Sequence, residues 1–124
     1  MVKYNLVEDE ILYARVSRTV IDWEKEGYEF VGDASDGELA LPMILKEKPD
    51  ILITDIRMPF MDGLELSRMV KAELPDIKIV ILSGYDDFEY AKQAIKIGVA
   101  EYLLKPVSSA VLLEHLSEIA RSQR

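Results

Sequence analysis

The chain has no cysteine and only one histidine and one tryptophan among its 124 residues. Without cysteine there is no disulfide framework, no thiol nucleophile and no thiolate metal site. Cations are in deficit: 15 lysines and arginines against 23 aspartates and glutamates give a formal net charge of −8. Such a field repels the phosphates of a nucleic acid, so no direct nucleic-acid contact is expected of this segment. A bound metal could invert the field locally. No apolar run approaches the about 20 residues that span a bilayer, and the N-terminus passes at once into a strand pattern, unlike a signal peptide. A soluble, cytoplasmic chain with no membrane partner is therefore expected. None of the six glycines forms a run with dinucleotide-binding or P-loop spacing after a strand. Repeats, low-complexity segments and linkers are also missing.

What is present is enough apolar residue for a core, 49% of the chain, in a length that suits one domain spanning 1–124. Strand-like and helix-like patterns alternate throughout, the signature of a doubly wound α/β fold with a parallel sheet. Strands are expected at Lys3–Val7, Glu29–Gly32, Ile51–Thr54, Lys78–Leu82 and Glu101–Leu104. The first helix is expected from about Ile11 to Lys25. The second is capped by Ser35 and Glu38 and interrupted by Pro42, which predicts a kink or a late start. The third follows an Asp62/Glu65 cap and turns Leu66, Met69 and Val70 inward. The fourth starts near Asp86 or Asp87, turns Phe88, Ala91 and Ile95 inward, and ends at Gly98. The last is capped by Ser108 or Ser109 and buries Leu112, Leu116, Ile119 and Ala120. His115 falls in that helix and reads as an ordinary helix residue. Asn5, polar within the first strand, needs a buried partner.

Four apolar runs end in chemically useful polar residues. Tyr4–Val7 is followed by Glu8 and Asp9, Ile51–Thr54 by Asp55, Ile77–Leu82 by Ser83, and Tyr102–Leu104 by Lys105. In a parallel sheet these endings share one rim, where ligands of open α/β folds bind. Three carboxylates crowded together repel one another, and a cation relieves that repulsion. Mg²⁺ prefers oxygen ligands and keeps several waters, so Asp9 and Asp55 are expected as direct ligands, Glu8 as a ligand through water, and the main-chain carbonyl of Arg57 as the remaining donor. Asp55 is central and is the expected nucleophile toward a phosphoryl group. The Lys105 ammonium would take up one phosphoryl oxygen, and the Ser83 hydroxyl or a backbone N–H another. A cis bond at Lys105–Pro106 would aim the lysine over the strand ends. Alone, each residue has an ordinary explanation, as a turn aspartate, an acidic helix start or a common dipeptide. Their coincidence at neighbouring strand ends favours the joint reading.

These residues resemble the response-regulator receiver domain of two-component signalling over essentially the whole chain. Glu8-Asp9 is similar to the family's acidic pair, whose first member is more often aspartate. Asp55, within Ile-Thr-Asp-Ile-Arg-Met-Pro-Phe-Met-Asp-Gly, resembles the phosphoacceptor segment. Ser83 resembles the switch hydroxyl, Tyr102 the switch aromatic, and Lys105-Pro106 the lysine with its cis proline. The resemblance implies a five-stranded CheY-like sheet of order 2-1-3-4-5. It also implies a phosphoryl group received from a sensor histidine kinase on Asp55 with Mg²⁺, and a switch in the face formed by the fourth helix, fifth strand and last helix. Leu-Ser-Gly-Tyr-Asp-Asp-Phe-Glu-Tyr-Ala-Lys is more particularly similar to receivers fused to AraC-type DNA-binding domains. The chain is then either a stand-alone receiver or one excised from a longer regulator, and the favoured expectation is a fragment with a DNA-binding output domain beyond Arg124. Homodimerisation through the face around Tyr102 is compatible with the sequence but not demanded by it.

Two alternatives use the same residues. An aspartate-nucleophile phosphohydrolase of the haloacid-dehalogenase type would carry a second acid two residues after the nucleophile, where this chain has Arg57. A pseudo-receiver would tend to lose the acid pair or the lysine, and both are kept. Arg57 and Tyr85, each two residues beyond a rim residue, are bulky and orient water poorly, which predicts slow loss of the phosphoryl group.

Overall fold

A computed structural model of the chain describes residues 2–7, 28–34, 37–58, 61–84, 88–104 and 109–122. The expected first helix, the acid pair Glu8 and Asp9, Tyr85, Lys105 with Pro106, and the Ser35 and Ser108 caps lie outside the described residues, as do the side chains of Asn5, Phe88 and Ala120.

The described strands are β1 (Val2–Val7), β2 (Tyr28–Ala34), β3 (Ile51–Asp55), β4 (Lys78–Ser83) and β5 (Glu101–Leu104). They form one parallel sheet of order β2-β1-β3-β4-β5. The reversal of order between β1 and β3 creates a topological switch point beside the C-terminal end of β3. The pairing of β1 with β2 shifts register between Tyr4 and Asn5. β3 is buried along its whole length because it is central and covered on both faces, which its unbroken apolar run requires. Ile51, Leu52, Ile53, Ile79, Val80, Ile81 and Leu82 are fully buried, each removal from water stabilising the fold by about 1.5–3 kcal/mol before entropy is counted. β5 lies at an edge and is half-buried.

Four helices are described: α1 (Gly37–Glu47), α2 (Gly63–Glu73), α3 (Phe88–Ile97) and α4 (Ser109–Ser122). α1 buries Ala40 and Ile44 and runs through Pro42. The late start allowed for by the sequence does not occur. Pro42 stands on the exposed side of the helix, where water can serve the Glu38 carbonyl that loses its donor.

α2 begins where the Asp62/Glu65 signature places it: the Glu65 N–H donates to Asp62 Oδ1 at 2.8 Å. α3 ends at Gly98, whose φ of +91° suits a residue without a side chain. Leu112, Leu116 and Ile119 of α4 are buried as expected.

Two inward assignments are corrected. Met69 is 38% exposed and Ile95 is 78% exposed. α2 buries Leu66 and Val70 as expected, together with Leu64 and Ser67. α3 turns in Ala94 fully, with Tyr90 and Ile97 packed against the same core. In α3 the buried stripe lies about one residue away from the expected one, a roll of about 100°, whereas in α2 Met69 alone falls outside the expected stripe.

Candidate functional site

The C-terminal ends of the central strands lie in register. Val7, which precedes Glu8, pairs with Thr54; Asp55 pairs with Leu82; Ser83 pairs with Leu104, which precedes Lys105. The described members of the expected constellation, Asp55 and Ser83, thus close neighbouring strands at the same rim. Asp55 is 7% exposed and Ser83 is fully buried. Glu8, Asp9, Lys105 and Pro106 follow strand ends in sequence but lie outside the described residues.

The loop after Asp55 is held tightly. The Ile56 N–H donates to Asp55 Oδ1 at 2.8 Å, which fixes one carboxylate oxygen toward the backbone. The Thr54 hydroxyl donates to the Asp55 carbonyl at 2.9 Å. The Gly63 N–H donates back to the Ile56 carbonyl at 2.7 Å. A side chain at Gly63 would put its Cβ 1.9 Å from the Asp55 carbonyl oxygen, inside any contact distance. Only glycine lets the start of α2 return this close to the aspartate. At the same loop, a Cβ on Gly37 would fall 2.6 Å from the Met61 carbonyl oxygen, so α1 also abuts the loop closely.

Arg57 projects from this loop and is exposed. Its Nη2 donates to the Tyr90 hydroxyl at 2.8 Å, and its guanidinium carbon stands 5.6 Å from the Tyr90 ring centre. The clasp combines a hydrogen bond with a cation–π contact and joins the aspartate loop to α3. The sequence reading assigned Tyr90 no part. Its only advance signal was an aromatic in the first turn of the helix that follows Ser83.

Tyr102 is half-buried on β5 and packs against the core cluster that includes Ile79 and Ile81. The described donors at the rim are hard oxygens, the Asp55 carboxylate and the main-chain carbonyl two residues on. They fit Mg²⁺ better than a thiophilic metal.

The strongest electrostatic perturbation among the described residues is away from the rim. Lys71 Nζ donates to the Ile77 carbonyl at 2.8 Å. Burial, with the neighbouring Lys78 adding to it, holds the Lys71 ammonium below its usual pKa, against the opposing pull of Asp76.

Comparison with known proteins agrees with this geometry. The family model of the response regulator receiver domain matches residues 5–117. The transcriptional regulatory protein YesN of Bacillus subtilis, itself uncharacterized, is 42% identical over 119 residues, 96% of this chain and 32% of that protein. DegU of Brevibacillus brevis, a transcriptional regulatory protein, is 33% identical over 94% of this chain and 49% of its own length. The chain thus spans between about a third and a half of these relatives. Among solved structures, the receiver domain of AraT, a response regulator from Geobacillus stearothermophilus, is 36% identical with a TM-score of 0.86, each chain covered completely. A CheY-like receiver domain from Methanospirillum hungatei aligns with a TM-score of 0.91 at 25% identity, over 99% of this chain and 96% of that one.

Receivers of this family are signalling switches that accept a phosphoryl group, generally with Mg²⁺ at the phosphorylation site, and they interact with sensor histidine kinases. Among the described residues, no helix is long and apolar enough to cross a membrane. The chain belongs to the response regulator receiver domain family.

Proposed function

We propose that Asp55 is the phosphoacceptor of this receiver. The observation that carries the reading is its position: a carboxylate at the end of the buried central strand, in register with a strand that closes on Ser83. A partner histidine kinase presents phosphohistidine. A carboxylate oxygen of Asp55 attacks phosphorus, the N–P bond breaks, and the imidazole leaves with its electron pair. The hydrogen bond from the Ile56 N–H to Oδ1 orients the carboxylate for in-line attack.

Glu8, Asp9, Asp55 and the carbonyl of Arg57 would hold Mg²⁺, which when bound neutralises charge on the phosphoryl oxygens. The Lys105 ammonium pairs with a second oxygen, and the cis bond proposed before Pro106 aims it. The Ser83 hydroxyl donates to a third.

Ser83 then shifts toward the phosphoryl group, and Tyr102 follows inward. Its half-buried packing makes a small movement sufficient. The face carried by α3, β5 and α4 changes with it. That face leaves Ile95, Leu104 and Val111 exposed, apolar groups that a partner can read. Phosphorylation biases two packings that differ by a few kcal/mol. The DNA-binding response regulator from Staphylococcus aureus among the structural neighbours suggests the output, control of a DNA-binding domain joined to the receiver. The cycle operates in the cytoplasm, and the chain catalyses only its own phosphorylation and dephosphorylation.

The test is intact-mass spectrometry after incubation with acetyl phosphate and Mg²⁺. Wild type gains one phosphoryl mass. Asp55→Asn gains none, and neither does wild type with the metal chelated. Equal uptake by Asp55→Asn would refute the assignment. Turnover of a small phosphate ester would instead favour a phosphohydrolase.

A further inference from the structure

Glu101 opens β5, while His115 and Glu118 stand one turn apart on α4. Their donor atoms converge: one imidazole nitrogen and one oxygen from each carboxylate all lie within 4.8 Å of one another. His115 Nδ1 is 3.4 Å from Glu101 Oε1. That nitrogen is shielded from solvent and has no hydrogen-bond partner. The cluster is separate from the aspartate rim. Glu101 pairs with Val80, three residues before Ser83 along β4, which is roughly 10 Å of strand.

We propose that Glu101, His115 and Glu118 form a three-ligand site for Zn²⁺. Two carboxylates and an imidazole nitrogen within 4.8 Å of one another bring three Lewis-basic donors together, a set that a shared cation can bridge. Zn²⁺ binds nitrogen and carboxylate oxygen at about 2.0–2.1 Å, so neighbouring donors of a tetrahedral site lie about 3.3 Å apart. The Nδ1–Oε1 separation of 3.4 Å already matches that edge. Glu118 is exposed, so its side chain can swing to close the remaining edges. The His-x-x-Glu spacing puts both helical ligands on one face, as in metal sites built from helix pairs. An imidazole ligand selects against Mg²⁺ and Ca²⁺, which favour all-oxygen shells. The side chains of His115 and Glu101 are 31% and 32% exposed, so the cluster lies near the surface. When filled, the site ties β5 to α4.

The same atoms could hold a proton on His115 instead, in a plain ion pair with Glu101. Calorimetric titration of the full chain with Zn²⁺, in excess Mg²⁺ to occupy all-oxygen sites, separates the two. One saturating equivalent is expected, together with the visible absorption of four-coordinate Co²⁺ when Co²⁺ replaces Zn²⁺. Both signals should disappear in His115→Ala and weaken at least about tenfold in Glu118→Gln. Glu118 is exposed, so that variant guards against loss of folding, which circular dichroism monitors. Asp55→Asn should bind Zn²⁺ as wild type does. Absence of saturable binding in wild type, binding unchanged in His115→Ala, or binding lost in Asp55→Asn would each overturn the proposal. None of these outcomes depends on whether Asp55 takes a phosphoryl group.

Discussion

At the scale of single residues, Gly63 is the least replaceable position beside Asp55. The approach of 1.9 Å that a Cβ would make to the Asp55 carbonyl leaves no room to relax, because the obstructing atom is backbone. Gly63→Ala should destabilise the fold by about 3 kcal/mol, the upper end for overpacking, read as a drop in denaturation midpoint. It should also slow phosphorylation, since the loop must move. A midpoint unchanged within error would show that the loop is looser than its geometry. Arg57 offers a kinetic prediction. Held by Tyr90 through the 2.8 Å hydrogen bond, it would, under the proposed phosphoacceptor role of Asp55, flank the approach of water to the phosphoryl group. Arg57→Asn should therefore shorten the lifetime of the phosphorylated chain, measured by mass spectrometry after removal of the donor. Tyr90→Phe, which keeps the ring and loses the hydroxyl, should shift the lifetime less. A phosphorylated Arg57→Asn chain that decays no faster than wild type would count against the role given to Arg57.

At the scale of elements, helix limits and caps were legible because they depend on short-range chemistry. Asp62 with Glu65 predicts the start of α2, and Gly98 predicts the end of α3. The roll of α3 was not legible. Ile95 is more hydrophobic than Ala94, yet Ala94 is the buried residue. A small side chain suits the closely packed position against the core, and hydrophobicity alone does not encode distance to a neighbour. The same argument covers Met69, whose flexible side chain stays partly exposed.

Lys71 shows a further limit. Nothing in its sequence neighbourhood announces a hydrogen bond to the Ile77 carbonyl. Lys71→Met would leave that carbonyl without this donor, and a loss of about 1 kcal/mol is expected. The pH dependence has a definite sign. The folded-state pKa lies below the free value of 10.5, so in the window between them the unfolded chain binds more protons. Stability conferred by this position therefore rises as pH climbs through that window. Wild type should gain stability relative to Lys71→Met over that range, checked by urea unfolding at several alkaline pH values.

At the scale of the whole molecule, the sheet order was legible from strand–helix alternation once the receiver resemblance supplied the topology, and the observed order is β2-β1-β3-β4-β5. A parallel sheet brings strand ends together whatever their distance in sequence. This is why Asp55 and Ser83, separated along the chain, could be assigned to one rim from their positions after apolar runs. The Tyr90 clasp and the Glu101–His115–Glu118 cluster stayed hidden because each joins residues from different elements through side-chain direction, which no local pattern records. If the rim reading holds, the rim and the α3–β5–α4 face are two ends of one switch, and phosphorylation should alter amide exchange in β5 as well as around Asp55.

The most direct test of the central claim is chemical mapping of the phosphorylated residue. Borohydride reduction of the acetyl phosphate-treated chain, followed by peptide mass analysis, reads which carboxyl group carries the phosphoryl ester. Reduction confined to residue 55 and dependent on Mg²⁺ is the predicted result. A label on any other residue, or none with Asp55 intact and Mg²⁺ present, would contradict it.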